Sequence, residues 1–424
     1  MKKIIVKSLL FLLITIMSAY IFSGNKKTYI VERQFETVTT DSQESDYELI
    51  KDSFIEGMNV NDYLDIYNNK SIKIKRKGEY NNLEYNFEDI LHYYEIENYL
   101  KELSKSDIVN LFVIGKSVDN RDIYNIEIGK GQNTLLIDSN IHSGEVANTP
   151  ILMAFLIDLV NNYESGNNEV VNTLNSVKIA SIPCINPDGY EVFNFGVESI
   201  NNKELWIYKN KDSINFNNFK FNANGVDLNR NFPTQNAGLY YKEYNLLKNV
   251  SLTKSTQTTL YFGGETLGSE PETKAVMYQM LTHYKNAYAY INLHNQGRVI
   301  YSGKPNLSEE YNESTIKLCN IIGNITGYHV YGLDREEIGE GNDGTASDFM
   351  AELVNGFVFS TKTGRLSSSS YKNNNSSLKY DVPAIVVETT RDYHKDPKYF
   401  KDEYYNKGVK EMFYKLLEYG MKTN

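Results

Sequence analysis

The chain is poor in several residues that usually give quick structural answers. It has two cysteines, Cys184 and Cys319, far apart in 424 residues. That excludes a disulfide scaffold and leaves open either one bridge or two buried thiols. It has one tryptophan, eight prolines and eight arginines. Basic residues number 44 against 54 acidic ones, a net charge of −10. Such a chain lacks the basic surface of a general nucleic-acid binder, so no nucleic-acid partner is expected. Disorder along the whole length is excluded too, because hydrophobic residues reach 41% against 23% charged. No internal repeat is visible. Histidine is also rare, with six in all, so each is a candidate that can be weighed individually.

Long apolar runs are missing except at the N-terminus. There Lys2, Lys3 and Lys7 precede an uncharged run from Ser8 to Gly24. A basic stretch before an apolar one is the mark of export, and the run fits a signal peptide or a short membrane anchor. Ile21-Phe22-Ser23 is the best cleavage candidate, a mediocre one. Residues 1–24 are therefore read as a signal peptide or N-terminal membrane anchor. The rest is expected outside the cell or in the cell envelope, touching a membrane only through that segment if it is retained. Residues 25–84 are polar, with apolar patches at Tyr47–Ile50 and Tyr63–Tyr67 and a basic knot at Lys73–Lys77. They read as a spacer or propeptide-like segment.

From Tyr85 the pattern tightens into one domain spanning 85–424. Helical spacing marks Tyr94–Leu103, Pro150–Leu159, Glu272–His283, Ser314–Thr326 and a last helix over about Asp402–Tyr419. Short apolar runs at Val109–Ile114, Asp122–Ile128, Thr134–Ile137, Val177–Ile185, Ala287–Leu293 and Ala384–Glu388 read as strands. Asn186-Pro187-Asp188-Gly189 reads as a turn. Two polar inserts, Asn201–Phe219 and Ser367–Leu378, read as surface loops. The fold class is α/β, a mixed and mostly buried central sheet with helices on both faces.

Four short segments carry chemistry. His142 and Glu145 follow a predicted strand and sit three apart, so they can share one side of a turn. His294 ends another strand. Two imidazoles and one carboxylate suit zinc, with a fourth position left for water. Gly225-Val226-Asp227-Leu228-Asn229-Arg230-Asn231-Phe232 sets a scarce arginine between two asparagines. Arg230, helped by Asn229, can grip a peptide's terminal carboxylate, or it can simply bond local carbonyls. Glu388 ends a buried strand, either as a structural partner or at the strand end where α/β sheets bind ligands. The other histidines, His92, His283, His329 and His394, have no partner at ligand spacing and read as structural or solvated.

In this order the four segments resemble the zinc carboxypeptidases of the M14 peptidase family. The likeness runs from about Tyr85 to the C-terminus. It includes Ile114-Gly115-Lys116-Ser117…Arg121, the Asn186-Pro187-Asp188-Gly189 turn and Gly268-Ser269-Glu270-Pro271-Glu272-Thr273. The resemblance implies one zinc ion held by His142, Glu145 and His294, with Asp227 orienting the first histidine. It implies Glu388 as the catalytic base, and Asn229 and Arg230 as the carboxylate-binding pair. Where many members carry an arginine that polarises the scissile carbonyl, the nearest match is Lys220, as in some bacterial members that look like peptidoglycan peptidases. Digestive members carry a mobile tyrosine where Glu340 falls here, with Tyr331 nearby. Ser347, before Asp348, is small and neutral, so no buried acid selects a basic C-terminal residue.

The expected activity is that of an exported metallocarboxypeptidase acting on peptide C-termini, with every candidate residue on one chain and a monomer sufficient. On the same scaffold, a peptidoglycan stem-peptide hydrolase cutting γ-D-glutamyl–diamino acid bonds is the nearest rival. N-deacylation of an amino acid and a non-catalytic envelope-binding module are the more distant ones.

Overall fold

In the computed structural model, the described residues are 71–210, 220–237, 262–264, 266–302, 307–332, 344–360, 365–367, 381–392 and 395–423. Their apolar runs form strands of one nine-stranded sheet. In chain order the strands are β1 (Ile72–Ile74), β2 (Val109–Lys116), β3 (Asp122–Ile128), β4 (Asn133–Ser139), β5 (Val177–Ile182), β6 (Ala287–Asn295), β7 (Val299–Tyr301) and β8 (His329–Tyr331). Strands β9 (Val358–Ser360) and β10 (Arg365–Ser367) pair apart from it, and β11 (Ala384–Thr389) returns to the sheet. The order across it is β1-β2-β3-β5-β4-β6-β11-β7-β8. The middle four, β5, β4, β6 and β11, run parallel. β4 and β6 are buried at every position, as expected of strands covered on both faces.

The helices divide between those faces. On one side lie α1 (Tyr93–Leu103), α2 (Asn148–Glu164), α9 (Pro397–Asn406) and α10 (Val409–Lys422), packed on Leu135, Ile137, Ile291, Leu293, Ile385 and Val387. On the other lie α6 (Pro271–His283) and α8 (Ala346–Val354), packed on Leu136, Tyr290 and Ala384. The alternation of a strand sends neighbouring residues to opposite cores. Each fully buried large apolar side chain contributes roughly 1.5–3 kcal/mol. The remaining helices are α3 (Asn168–Ser176), α4 (Pro187–Phe195), α5 (Lys203–Asn210) and α7 (Glu309–Thr326). All described residues fall in one compact unit, and no helix among them is long and apolar enough to cross a membrane.

Several expectations need correction. Asn186-Pro187-Asp188-Gly189 is no simple turn. The Asn186 side chain accepts from the Gly189 N–H, and Pro187 opens α4, the role proline has in a first helical turn. The insert at Asn201–Phe219 is not all loop, because α5 forms within it and Trp206 is buried. The last helix is two. Gly408 holds φ +75 between α9 and α10, and a Cβ there would meet the Ile325 carbonyl at 2.5 Å, so the chain must break where only glycine fits. The end of the segment read as spacer joins the sheet, as β1 pairs antiparallel with β2 and Tyr80 and Leu83 pack on the core. Residues 1–70, Glu340, His394 and most of Ser367–Leu378 lie outside the described residues. Cys184 and Cys319 are both buried and free.

One buried acid carries a stability prediction. Asp138 on β4 accepts from the Ile182 N–H at 2.7 Å and Gln279 Nε2 at 2.9 Å, while its Oδ2 has no hydrogen-bond partner. Burial pushes its carboxyl up to about 7 against these hydrogen bonds. The folded state therefore holds a proton that the unfolded chain releases near the ordinary value of 3.8. Stability falls as pH rises from there to about 7, then levels. Asp138→Asn keeps the acceptor and removes the ionisation. Urea unfolding at pH 5 and pH 8 should show the variant gaining on the wild type by on the order of 2–4 kcal/mol at the higher pH. Parallel pH dependences in the two proteins would show that Asp138 does not titrate in this range.

Candidate active site

Three neighbouring parallel strands, β4, β6 and β11, end at the same edge of the sheet. The chain leaving β4 carries His142 and Glu145 in a tight turn, with the Glu145 N–H donating to the His142 carbonyl at 3.2 Å. His294 is next to last on β6, and its backbone partner on β11 is Glu388. Partners in register point to the same face, so both side chains rise on the α6 side of the sheet.

His142, Glu145 and His294 are buried, and one ligand atom from each lies within 4.8 Å of the others. His142 Nε2 faces Asp227 Oδ1 at 3.2 Å. His294 Nε2 faces Asn292 Oδ1. With Asp227 and Asn292 accepting at each Nε2, the neutral tautomer a metal would need carries its proton there and leaves each Nδ1 lone pair for the ion. Those atoms converge on Glu145, with His142 Nδ1 at 2.7 Å from Oε1 and His294 Nδ1 at 2.9 Å from Oε2. Oε2 nonetheless makes no hydrogen bond. Two neutral nitrogens and a carboxylate gathered this way are a donor set for a cation. Two imidazoles, one carboxylate and an open fourth position suit zinc.

The surroundings set the charge states. Burial disfavours the Glu145 anion, but the two imidazoles that face it, His142 and then His294, hold its carboxyl well below the usual range. Burial likewise opposes the Asp227 anion, and His142, Arg230 and Lys220 together lower it. Glu388 behaves in the opposite way. Burial first, then the nearby Glu145 charge, push it well above the ordinary carboxylate value, against the pull of Lys220. Its Oε2 has no hydrogen-bond partner. Lys220 thus lies within electrostatic reach of His142, His294, Asp227 and Glu388.

The loop from Lys220 to Asp227 is held firmly. The Phe221 carbonyl accepts from the Ser143 hydroxyl and from Asn186 Nδ2, which ties it to the His142 turn. Asn222 Nδ2 donates to Glu270 at 2.8 Å and Glu272 at 3.0 Å. Behind these, Asp188 accepts from Ser117, Arg121 and the Asp119 N–H. The three outlying motifs of the sequence therefore form one buried support for the loop. Asp227 also accepts from the Asn229 N–H and caps the short turn Leu228–Arg230. Asn229 Oδ1 accepts from the Ala346 N–H at 2.9 Å, at the start of α8. Arg230 is half-buried and donates to the Asn229 carbonyl. Gly344 packs on that residue with φ +84, where a Cβ would stand 2.9 Å from the Arg230 carbonyl.

The other described histidines are placed outside the cluster. His92 pairs with Glu191 at the start of α1, His283 with Glu127, and His329 stands against Tyr331. Tyr331 stacks on Tyr301. Asn292, which holds His294, was missed by sequence reasoning. It lies two residues before a candidate ligand on an alternating strand, and that spacing was the available signal.

An α/β sheet with a His-Glu-His group and a carboxylate at its strand ends fits a zinc-dependent hydrolase. The chain belongs to the Peptidase_M14 family, zinc carboxypeptidase, which matches residues 96–383. That family is one of zinc carboxypeptidases. Glu388 lies beyond the matched span, so its assignment rests on the strand register and on the resemblance. Residues 223 long are 32% identical to gamma-D-glutamyl-L-diamino acid endopeptidase 1 of Lysinibacillus sphaericus, covering 51% of this chain and 52% of that one. The carboxypeptidase N catalytic chain of Rattus norvegicus is 31% identical over 142 residues, 32% of this chain and 28% of that one. The chain thus spans about half or less of these curated relatives. A bovine thrombin-activatable fibrinolysis inhibitor, solved with tick carboxypeptidase inhibitor, shares the fold at TM-score 0.55 and 18% identity, covering 80% of this chain and 99% of that one.

Proposed function

We propose that this enzyme is an exported zinc metallocarboxypeptidase that removes the C-terminal residue of peptides, with the catalytic domain over 85–424 behind an export segment at 1–24. The observation that carries the reading is the pairing of Glu388 with His294 across β11 and β6, which sets a free carboxylate beside the metal-ligand group. Bound zinc would supply Lewis acidity and lower the pKa of water toward ~7.

The chain's own residues supply the rest. Glu388 takes a proton from the attacking water as its oxygen bonds to the carbonyl carbon. Lys220 offers positive charge to the oxygen that becomes anionic. As the C–N bond breaks, Glu388 returns the proton to the leaving amine. Asp227 and Asn292 hold the two imidazoles in the Nδ1-bare form. Arg230 and Asn229 fix the substrate's carboxylate and so place the scissile bond one residue from it.

Arg230→Ala tests the register. Truncating one partner of a charged pair costs ~2–5 kcal/mol, so kcat/KM on substrates with a free C-terminus should fall ~30-fold or more. Amidated substrates should change little. Equal losses on both would make Arg230 a structural residue of its loop.

A second reading keeps the chemistry and changes the substrate. The likeness to the Lysinibacillus endopeptidase, together with lysine at position 220, supports a stem-peptide hydrolase cutting γ-D-glutamyl–diamino acid bonds. Incubating the zinc-loaded protein with a peptide library and with muropeptides, and reading products by mass spectrometry, separates the two. Loss of single C-terminal residues from peptides supports the first reading, and cleavage confined to muropeptides supports the second. No cleavage of either overturns both.

A further inference from the structure

The metal-ligand group and Glu388 come from three distant segments, and a chain of buried polar side chains joins the same three segments behind them. Asn148 opens α2, three residues after Glu145. Asn295 follows His294, and Thr389 follows Glu388. All three are buried. The Thr389 hydroxyl donates to Asn148 Oδ1 at 2.5 Å. Asn148 Nδ2 donates to Asn295 Oδ1. Asn295 Nδ2 donates to the Thr390 hydroxyl at 2.9 Å, and that hydroxyl donates to the Asp392 carbonyl at 3.1 Å. The relay runs from donor to acceptor without a gap.

We infer that Asn148, Asn295 and Thr389 are positioning residues that clamp Glu388 and His294 to the His142–Glu145 turn. Three observations support this. Asn295 and Thr389 are register partners, one residue on from the His294–Glu388 pair, so they point to the opposite, α2 face of the sheet. From there they reach neither substrate nor metal. Asn148 is a single residue bonded to both strand ends, so it couples the placement of the base to that of the ligands. Burial makes the arrangement all-or-none, since removing one group strands a desolvated partner. The inference rests on the reading of Glu388 as base.

The test uses the full-length protein loaded with zinc, assayed on N-acylated dipeptides and on stem peptides. Displacements of about 1 Å can cost ~10²-fold in rate. Thr389→Val, which replaces the hydroxyl by a methyl, should lower kcat tenfold or more with KM and zinc content unchanged. Thr389→Ser should recover most of the rate. Thr389→Ala serves if the valine variant does not fold. Asn148→Ala, titrated with a competing chelator, should bind zinc ~10-fold or more weakly, a readout independent of turnover. Wild-type kcat in Thr389→Val or Thr389→Ala, whatever the melting temperature, would overturn the hold on Glu388. Wild-type zinc affinity in Asn148→Ala would overturn the hold on the ligands. Glu388→Gln run alongside separates the two levels. An active glutamine variant rejects the base assignment. An inactive one beside a fully active Thr389→Val rejects only the clamp.

Discussion

Glu388→Gln is expected to lower kcat by ~10³-fold or more while zinc content stays at the wild-type level, since a positioned general base contributes ~10²–10⁴-fold. The amide keeps the size of the carboxylate and loses its ability to take a proton. Folding should be preserved, because Glu388 Oε2 has no hydrogen-bond partner to lose. The raised affinity of this carboxyl for a proton, caused by burial and by Glu145, suits a group that must accept one and later return it. KM should move by less than about threefold, because the proposed grip on substrate lies elsewhere, at Arg230. Metal analysis and steady-state kinetics on one preparation check both halves. A variant with near-normal turnover would remove Glu388 from the chemistry.

The second large effect is on the metal. His142→Ala should lose zinc on dialysis against a moderate chelator, with affinity lower by more than ~10²-fold, beyond the 10–100-fold typical of losing a residue that only orients a ligand. The change removes one of the two ring nitrogens that face Glu145 and leaves Asp227 buried without its imidazole. Wild-type protein should be stabilised by added zinc, by ~4 kcal/mol at a thousandfold excess over Kd. The variant should lose that dependence. Elemental analysis and melting curves with and without zinc are the measurements. A variant that stays fully loaded would refute His142 as a ligand.

How much of this was legible beforehand varies with the kind of interaction. His142, Glu145, His294 and Glu388 could be read because each ends or follows an apolar strand, and strand ends on a parallel sheet converge. Asn148, Asn295 and Thr389 could not, and Asn292 offered only its spacing from His294. Each is an ordinary polar residue, and its role depends on partners between two and 241 positions away. Arg121, Glu270 and Glu272 were seen as a pattern without a purpose, because the sequence does not show that they share one buried cluster under Asn222. The fold behaved similarly. The strongly periodic helices and buried strands were found within a few residues. The break at Gly408 was missed because the apolar spacing continues across it, and only the close approach of Ile325 demands the left-handed backbone. Helix α5 was hidden by the polar composition of its insert.

The order of the sheet has a consequence for how the enzyme comes into being. β11 is made after β7 and β8, yet it lies between β6 and β7. The growing chain must therefore leave that place open, or reopen it, until residues 384–389 arrive. The proposed base is the last element of the site to be synthesised. A ribosome-bound chain that already carries His142, Glu145, His294 and Arg230 has the proposed metal ligands and carboxylate grip but not the proposed group to take the proton. Synthesis order thus leaves the nascent chain without its proposed base until residues 384–389 are in place.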